Sequence, residues 1–378
     1  MADLKTCPPL TRESVIDAHA LIKPHIHLTP VLTNTTLSTL ASLPRDDPSY
    51  PQSLTHLLPS PAPARYAQPT LRLYFKCENF QRIGAFKARG AFHAVARLLA
   101  HDPSFSPAAG VVTHSSGNHA QALALAARER RIPAHIVMPD VAPQAKVRAT
   151  QGYGANVVFS GPTAAERMEV AGRVVEETGA RMVPPYDHPD IVLGQGTLGL
   201  ELTEQVKGLL QGKQDKGLDA IVTPCGGGGM LSGVALSQEG TGVKVFGAEP
   251  NHQGADDATR GYHTQERVRG VRTLTIADGL RTELGDVTYP LVCGRERGLV
   301  SGMYAVSEAE IRAALRLVLE RMKVVVEPSA VVPLAAVLFN EEFRGMVERE
   351  AGPEGWDLGV VFSGGNISLE KVAELIAP

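Results

Sequence analysis

The sequence predicts an α/β protein with largely parallel sheet, and three observations predict it. Short apolar runs of strand length occur at Leu71–Phe75, Gly110–Thr113, Ala134–Met138, Asn156–Phe159, Ala220–Thr223, Val243–Ala248 and Gly359–Phe362. Alanine-rich helical stretches such as Ala120–Arg130 and Ala164–Thr178 separate them, and strands that alternate with helices pair in parallel. The 378 residues exceed what one hydrophobic core organises, so two or three lobes with a cleft between them are expected.

In chain order, Thr11 is the candidate N-cap of a helix reaching Ile22, with Val15, Ala18 and Ile22 on one face, and Pro24 interrupts it. Pro30 to Leu40 leads inward. From Pro44 to Pro69 the chain is rich in Pro, Ser and Asp and lacks an apolar period, which predicts a mobile surface insertion. The βα units follow from Leu71, with no internal repeat of fixed period.

Hydrophobic residues make up 43% and charged residues 20%, enough to bury a sizeable core. A net charge of −3 with both signs interleaved excludes a basic field for nucleic acid or anionic lipid, so a small ligand is expected. Cys7, Cys77, Cys225 and Cys293 form no CxxC pair and no short zinc or disulfide spacing, which fits a reducing compartment. Met1 to Pro9 has no signal-peptide core, and no run approaches the roughly 20 apolar residues of a membrane helix. A cytoplasmic protein is expected.

Four segments carry chemistry. In Lys76–Ala91, Lys87 sits in a frame of Gly84, Ala85, Phe86, Ala88, Gly90 and Ala91; a lysine there is either a solvated surface group or, if desolvated, an amine suited to Schiff-base chemistry. Thr113-His114-Ser115-Ser116-Gly117-Asn118-His119 joins a strand to a helix. It reads either as simple N-capping by Ser116 or Asn118 or as a carboxylate site at a helix N-terminus. A Ser–His nucleophile pair there lacks the GxSxG elbow and a third member. Gly226 to Gly229 is entropically costly, which suggests close backbone approach to a phosphate rather than a merely flexible loop. A dinucleotide fingerprint finds its acid in Glu249, about twenty residues on, but Leu231 or Ser232 stands where its third glycine belongs. Ser363-Gly364-Gly365-Asn366, after the last strand, is by itself an ordinary turn.

In this order and at roughly these spacings, the four segments resemble the serine racemase and serine/threonine dehydratase family of fold-type II pyridoxal-phosphate enzymes, which are similar to tryptophan synthase β chains. The resemblance spans nearly the whole chain. It implies two open parallel-sheet lobes with the cofactor between them: a large domain from residues 1–109 and 188–378, with the 44–69 insertion, and a small domain from 110–187. Lys87 would carry the cofactor on its amine, with Phe86 packed beside it and Asn118 bonded to the ring hydroxyl. Gly226, Gly227, Gly228 and Gly229, followed by Met230, would bind the phosphate. Ser115, Ser116, Asn118 and His119 would hold the substrate carboxylate, and Ser116 would face the cofactor opposite Lys87 as a second acid/base group. Ser363 would meet the pyridine nitrogen, and a hydroxyl there can leave the nitrogen unprotonated, which favours loss of a β-leaving group.

The function implied is removal of the α-proton by Lys87 and loss of the β-hydroxyl, converting L-serine or L-threonine to a 2-oxo acid and ammonia. Serine racemisation and 3-hydroxyaspartate elimination are the alternatives, and a homodimer is the implied assembly. The racemase-like branch also binds Mg²⁺ or Ca²⁺. Here Glu249, the Ala255 carbonyl and Asp257 look like its ligands, though the segment is about two residues longer than in relatives, and a solvated acidic turn is the other reading. Ala85 stands where many relatives have serine. Arg167 aligns with an arginine that relatives bring to the cleft, where it would read a side-chain carboxylate; otherwise it is a helix-surface group paired with Glu166 or Glu169. The residues after Asn366 leave no room for a regulatory domain, so isoleucine feedback is not expected. A dinucleotide-dependent dehydrogenase would leave the lysine segment unexplained, and a non-catalytic amino-acid-binding protein is the remaining class.

Overall fold

The computed structural model describes residues 4–59, 61–210 and 217–377. Its strands are β1 (Val31–Thr33), β2 (Leu71–Cys77), β3 (Val111–His114), β4 (Ala134–Pro139), β5 (Asn156–Ser160), β6 (Arg181–Met182), β7 (Ala220–Pro224), β8 (Lys244–Pro250), β9 (Gly302–Val306) and β10 (Trp356–Phe362). They form a six-stranded sheet in the order β1-β2-β10-β7-β8-β9 and a four-stranded sheet in the order β5-β4-β3-β6. Every pairing is parallel except β1 on β2. The fold is therefore α/β with two open sheets, as the alternation predicts.

Side chains of alternate parity leave the large sheet on opposite faces. Leu71, Leu73 and Phe75 of β2, with Leu358, Val360 and Phe362 of β10, pack on the helix Pro328–Phe339, which is buried on every side. Tyr74 and Val361 turn to the other face, where the helices Pro189–Leu209 and Gly229–Gln238 cover the sheet. Glycines let the helices cross closely. A Cβ on Gly194 would lie 2.7 Å from Gly90 Cα, and one on Gly196 would lie 2.4 Å from Gly233 O. The Pro189–Leu209 helix thus locks the helix headed by Lys87 (Lys87–His101) to the one that follows the glycine loop.

Thr11 caps Arg12–Ile22 as expected, its side chain accepting from Ser14 N, with Val15, Ala18 and Ile22 buried. The insertion corrects the expectation of a mobile loop. Arg45 donates to Phe339 O and Leu57 O, and Arg344 donates to Ala41 O, Leu43 O and Ala67 O. Ala67 N donates to Glu341, and Tyr50, Leu54 and Tyr66 are buried. Two buried guanidiniums satisfy backbone carbonyls at both ends of the segment, so it is part of the packed structure. No described helix is long and apolar enough to cross a membrane.

Candidate active site

Lys87 opens its helix on a foundation of buried charge. Two residues on, Arg89 is fully buried and places Nε and Nη2 on Glu78 at 2.7 and 2.8 Å; Nη2 and Nη1 also meet Glu201 at 2.6 and 2.9 Å. Lys76 Nζ reaches Glu201 at 2.8 Å. Two cations balance two carboxylates in the interior, which fixes this helix start against displacement. Lys87 Nζ itself is half-buried, donates to Pro185 O at 2.6 Å and lies 5.0 Å from the centre of the Phe86 ring. Desolvation lowers its pKa from 10.5 to about 8, against a smaller upward pull from Glu327.

The Ser363–Asn366 turn zips onto this segment. Phe86 N donates to Ser363 O and Gly365 N to Gly84 O, and Ser363 is buried. Asn366 Nδ2 donates to Ile83 O at 2.7 Å and to Asn118 Oδ1 at 2.8 Å. Asn118 Nδ2 donates in turn to Glu327 Oε1 at 3.0 Å. Glu327 was not legible from motifs; burial raises its carboxyl from 4.5 to about 8, with Asp278 adding to the shift. The one sequence signal is an isolated acid ending the apolar run Val324-Val325-Val326 just before Pro328.

The Ser115–His119 turn lies at the end of β3 and heads the helix Asn118–Glu129. Its N-cap is Gly117 and no side chain caps it, which overturns capping by Ser116 or Asn118. Ser115 Oγ accepts from Gly117 N at 3.3 Å, and Ser116 is half-buried. His119 is buried, its Nε2 meets Val183 O at 3.1 Å, and desolvation drives its pKa down to about 3. A neutral ring spent on backbone leaves the hydroxyls and the free N–H groups of the helix start to meet an anion. Arg167 donates to Pro162 O and pairs with neither Glu166, which is tied to Thr163, nor Glu169, which is tied to Arg173. It does lie near His114, whose pKa it lowers after desolvation.

Three glycines of the Gly226–Gly229 loop are required by close approach. A Cβ on Gly227 would fall 2.3 Å from the Tyr186 ring, one on Gly228 2.5 Å from Leu284 Cδ2, and one on Gly226 2.9 Å from Leu280 Cα. Gly228 also has φ +81°. Gly227 N donates to Thr282 Oγ1, and Thr288 Oγ1 donates to Gly227 O. The helix beginning at Gly229 turns its N-terminus to this loop, with Met230 buried in its first turn. Backbone N–H groups at a helix start suit a phosphate, and a desolvated amine suits an aldehyde. Pyridoxal phosphate therefore fits the residues present.

Behind the loop, Glu249 and Asp257 are buried together. Glu249 accepts from Thr259 N at 2.7 Å, Thr259 Oγ1 at 2.9 Å and Ala258 N at 3.3 Å, and Asp257 accepts from Leu284 N at 3.2 Å. Burial raises both carboxyls, with the Asp257 charge adding to the rise of Glu249 and the Glu283 charge to that of Asp257, which reaches about 7. Among the described residues neither makes an ion pair, and Ala255 is buried beside them in sequence. Two buried carboxyls without an opposing charge are costly as anions, and their oxygens are of the kind a hard cation takes. Elsewhere Cys7 Sγ lies 3.9 Å from both His188 Nε2 and Asp190 Oδ2. There Asp190 N donates to His188 Nδ1, so Nε2 keeps the ring proton and is a poor metal ligand.

Comparison with known proteins agrees with this cleft. Residues 49–351 match the family described as pyridoxal-phosphate dependent enzyme. The chain is 40% identical over 358 residues to a serine racemase of Arabidopsis thaliana, covering 94% of this chain and 93% of that one. It is 38% identical over 364 residues to a beta-hydroxyaspartate dehydratase of Paracoccus denitrificans, covering 96% and 98%. The structure of maize serine racemase superposes with a TM-score of 0.79 at 37% identity, covering 96% of each chain. The chain therefore belongs to the pyridoxal-phosphate-dependent enzymes, with their fold-type II architecture and their cofactor.

Proposed function

We propose that the chain racemises serine and that β-elimination accompanies racemisation on the same residues. The observation that carries this reading is the pair of proton-handling groups at the cleft, the desolvated Lys87 amine and the half-buried Ser116 hydroxyl. Likeness to serine racemases along nearly the whole of both chains supports it, and shifts the weight from the plain ammonia-lyase expected from sequence.

Bound in the cleft, pyridoxal phosphate supplies an electron sink that acidifies the α-hydrogen of an attached amino acid. The Gly226–Gly229 loop and its helix N-terminus would hold the phosphate, and Asn118, kept in place by Glu327 and Asn366, would orient the ring hydroxyl. The Ser115 turn holds the carboxylate. Lys87 Nζ takes the α-proton on its side, and Ser116 Oγ delivers one to the opposite face, which inverts the carbon. Departure of the β-hydroxyl as water before that delivery, with Lys87 Nζ handing on the proton it has taken, gives elimination, and hydrolysis of the released product yields pyruvate and ammonia. Ser363 would meet the pyridine nitrogen without a formal charge.

Incubation of the holoenzyme with L-serine, followed by chiral chromatography and 2-oxo-acid assay, tests this. D-serine and pyruvate should both accumulate; pyruvate alone would leave an ammonia-lyase. A second reading, 3-hydroxyaspartate elimination, is favoured by Arg167 beside His114, at the edge of the carboxylate turn, and by the Paracoccus relative. In that case Arg167→Ala should depress kcat/KM for 3-hydroxyaspartate far more than for L-serine, since only the former loses a charge-assisted contact. Parallel losses would remove it. Glu249, Asp257 and the Ala255 carbonyl complete the proposal as the ligands of Mg²⁺ or Ca²⁺.

A further inference from the structure

The 44–69 insertion walls a second cavity, of about 670 Å³, away from the cofactor cleft. Its floor is apolar, from Leu40, Leu43, Leu54, Ala313, Leu317 and Ile376. Its rim is cationic. Arg312, Arg316 and Arg321 follow one another along the helix Glu308–Leu317 and the π-turn Val318–Met322, with His56 of the insertion also lining the cavity and Glu320 as the opposing side-chain carboxylate among the described lining residues. Arg316 pairs with Glu320 and Arg312 donates to Leu375 O, which leaves the Arg321 guanidinium exposed.

Three features argue that the cavity is built. The insertion is held over it by the buried Arg45 and Arg344 described above, an arrangement that costs two desolvated guanidiniums. The volume lies in the range of small-molecule sites. The wall runs directly into the active site: the π-turn ends at Lys323, which has φ +61°, and Glu327 follows four residues later. Single π-turns in α-helices occur mostly at functional sites.

We propose that this cavity binds a free amphipathic carboxylate, its apolar tail against Leu40, Leu54 and Leu317 and its charged head on the arginine rim. Among the described lining residues three guanidiniums stand against one carboxylate, which selects an anion, and the apolar floor selects a hydrocarbon tail over a compact polyanion. The reading does not depend on which amino acid the cleft turns over.

Calorimetric titration of the holoenzyme with decanoate tests it. One saturable decanoate per chain is expected, and decyltrimethylammonium, with the same tail and opposite charge, should not bind. Ala313→Trp, which fills the floor, should weaken decanoate by at least about tenfold. Arg316→Glu combined with Arg321→Glu should weaken it as well; both are exposed, so this variant reads the rim even if the tryptophan disturbs folding. Absence of saturable binding, equal affinity in the variants, or equal binding of the cationic analogue overturns the proposal. So would capture by anionic vesicles without decanoate binding, or a change in sedimentation of Leu54→Arg without decanoate binding. The first outcome would make the groove a lipid surface and the second a subunit face.

Discussion

The two glycine-bearing turns, one on each sheet, are built to different standards. On the large sheet, the Gly226–Gly229 loop is clamped: Tyr186, Leu284 and Leu280 occupy the space a side chain would need, and Thr282 and Thr288 bond its backbone. Asp187 reinforces the clamp by accepting from Asp286 N, Val287 N and Thr288 N. On the small sheet, a Cβ added to Gly117 meets nothing within 4 Å, and Ser115, Ser116 and Gly117 are only half-buried. The difference fits the roles proposed for them: a phosphate that stays would need preorganised donors, whereas a turn that admitted and released substrate would need room.

Substitutions can break this contrast, starting with the residue on which both sides converge. Lys87→Ala should lower turnover by roughly 10²–10⁴-fold or more while preserving the circular dichroism spectrum, since proton transfer alone supplies that factor. Near-native turnover would refute the assignment. On the clamped side, Gly227→Ala forces Tyr186 away; over-packing of about 1–3 kcal/mol should weaken pyridoxal phosphate by about ten- to a hundredfold, read from absorbance titration of the apoprotein. Removal of the ion should act on the same side, because Asp257 holds Leu284 N and the Leu284 side chain walls Gly228. Restoring Mg²⁺ at a hundred times its Kd should recover about 2.7 kcal/mol of stability; since both carboxyls are buried rather than in the solvated turn that was the other reading, a melting temperature indifferent to chelator would leave them relieved by protonation instead of by an ion.

The Asn118 hinge between the two sides should show in pH dependence. The folded chain holds a proton on Glu327 up to about pH 8 that the unfolded chain releases from 4.5. It binds more protons than the unfolded chain over that window, so this group makes stability fall as pH rises from 4.5 to 8. Glu327→Gln should remove the fall, as measured by urea unfolding of both apoproteins; coincident profiles would show the carboxyl to be uninvolved. Lys87, lowered from 10.5 to about 8, contributes the opposite slope above pH 8. Least affected should be Gly117→Ala, where open space predicts a change within about 0.5 kcal/mol, roughly twofold in KM. A large loss there would mean that the small-sheet turn is as tightly specified as the glycine loop.

Much of this contrast was visible in the sequence on one side only. Runs such as Ala134–Met138 and Ala220–Thr223 became β4 and β7 with nearly the expected bounds, because long parallel strands buried on both faces must be apolar. Strands β1 and β6 have three and two residues, too short to show a period, and β9 was missed although it is longer. Four successive glycines announced a backbone approach, but the groups that demand them, Tyr186 and Leu284, carry no motif. Glu327 and the arginine anchors of the insertion escaped for the same reason. Arg344 lies hundreds of residues from the carbonyls it satisfies, and its burial is decided only by packing. The lysine segment was legible because Lys87 and its frame of Gly84, Ala85, Phe86, Ala88, Gly90 and Ala91 are contiguous in sequence, whereas the buried charges beneath it, Glu78, Arg89 and Glu201, were not singled out.

The claim that two groups on opposite faces handle the α-proton is tested most directly by incubating L-serine with the Ser116→Ala holoenzyme in deuterium oxide and resolving the recovered enantiomers by mass. Lys87 still works its own face in this variant, so L-serine should acquire deuterium at the α-carbon and pyruvate should still form, while D-serine falls by roughly 10²–10⁴-fold. D-serine formed at the unmodified rate, or exchange and inversion lost in parallel, would contradict the account.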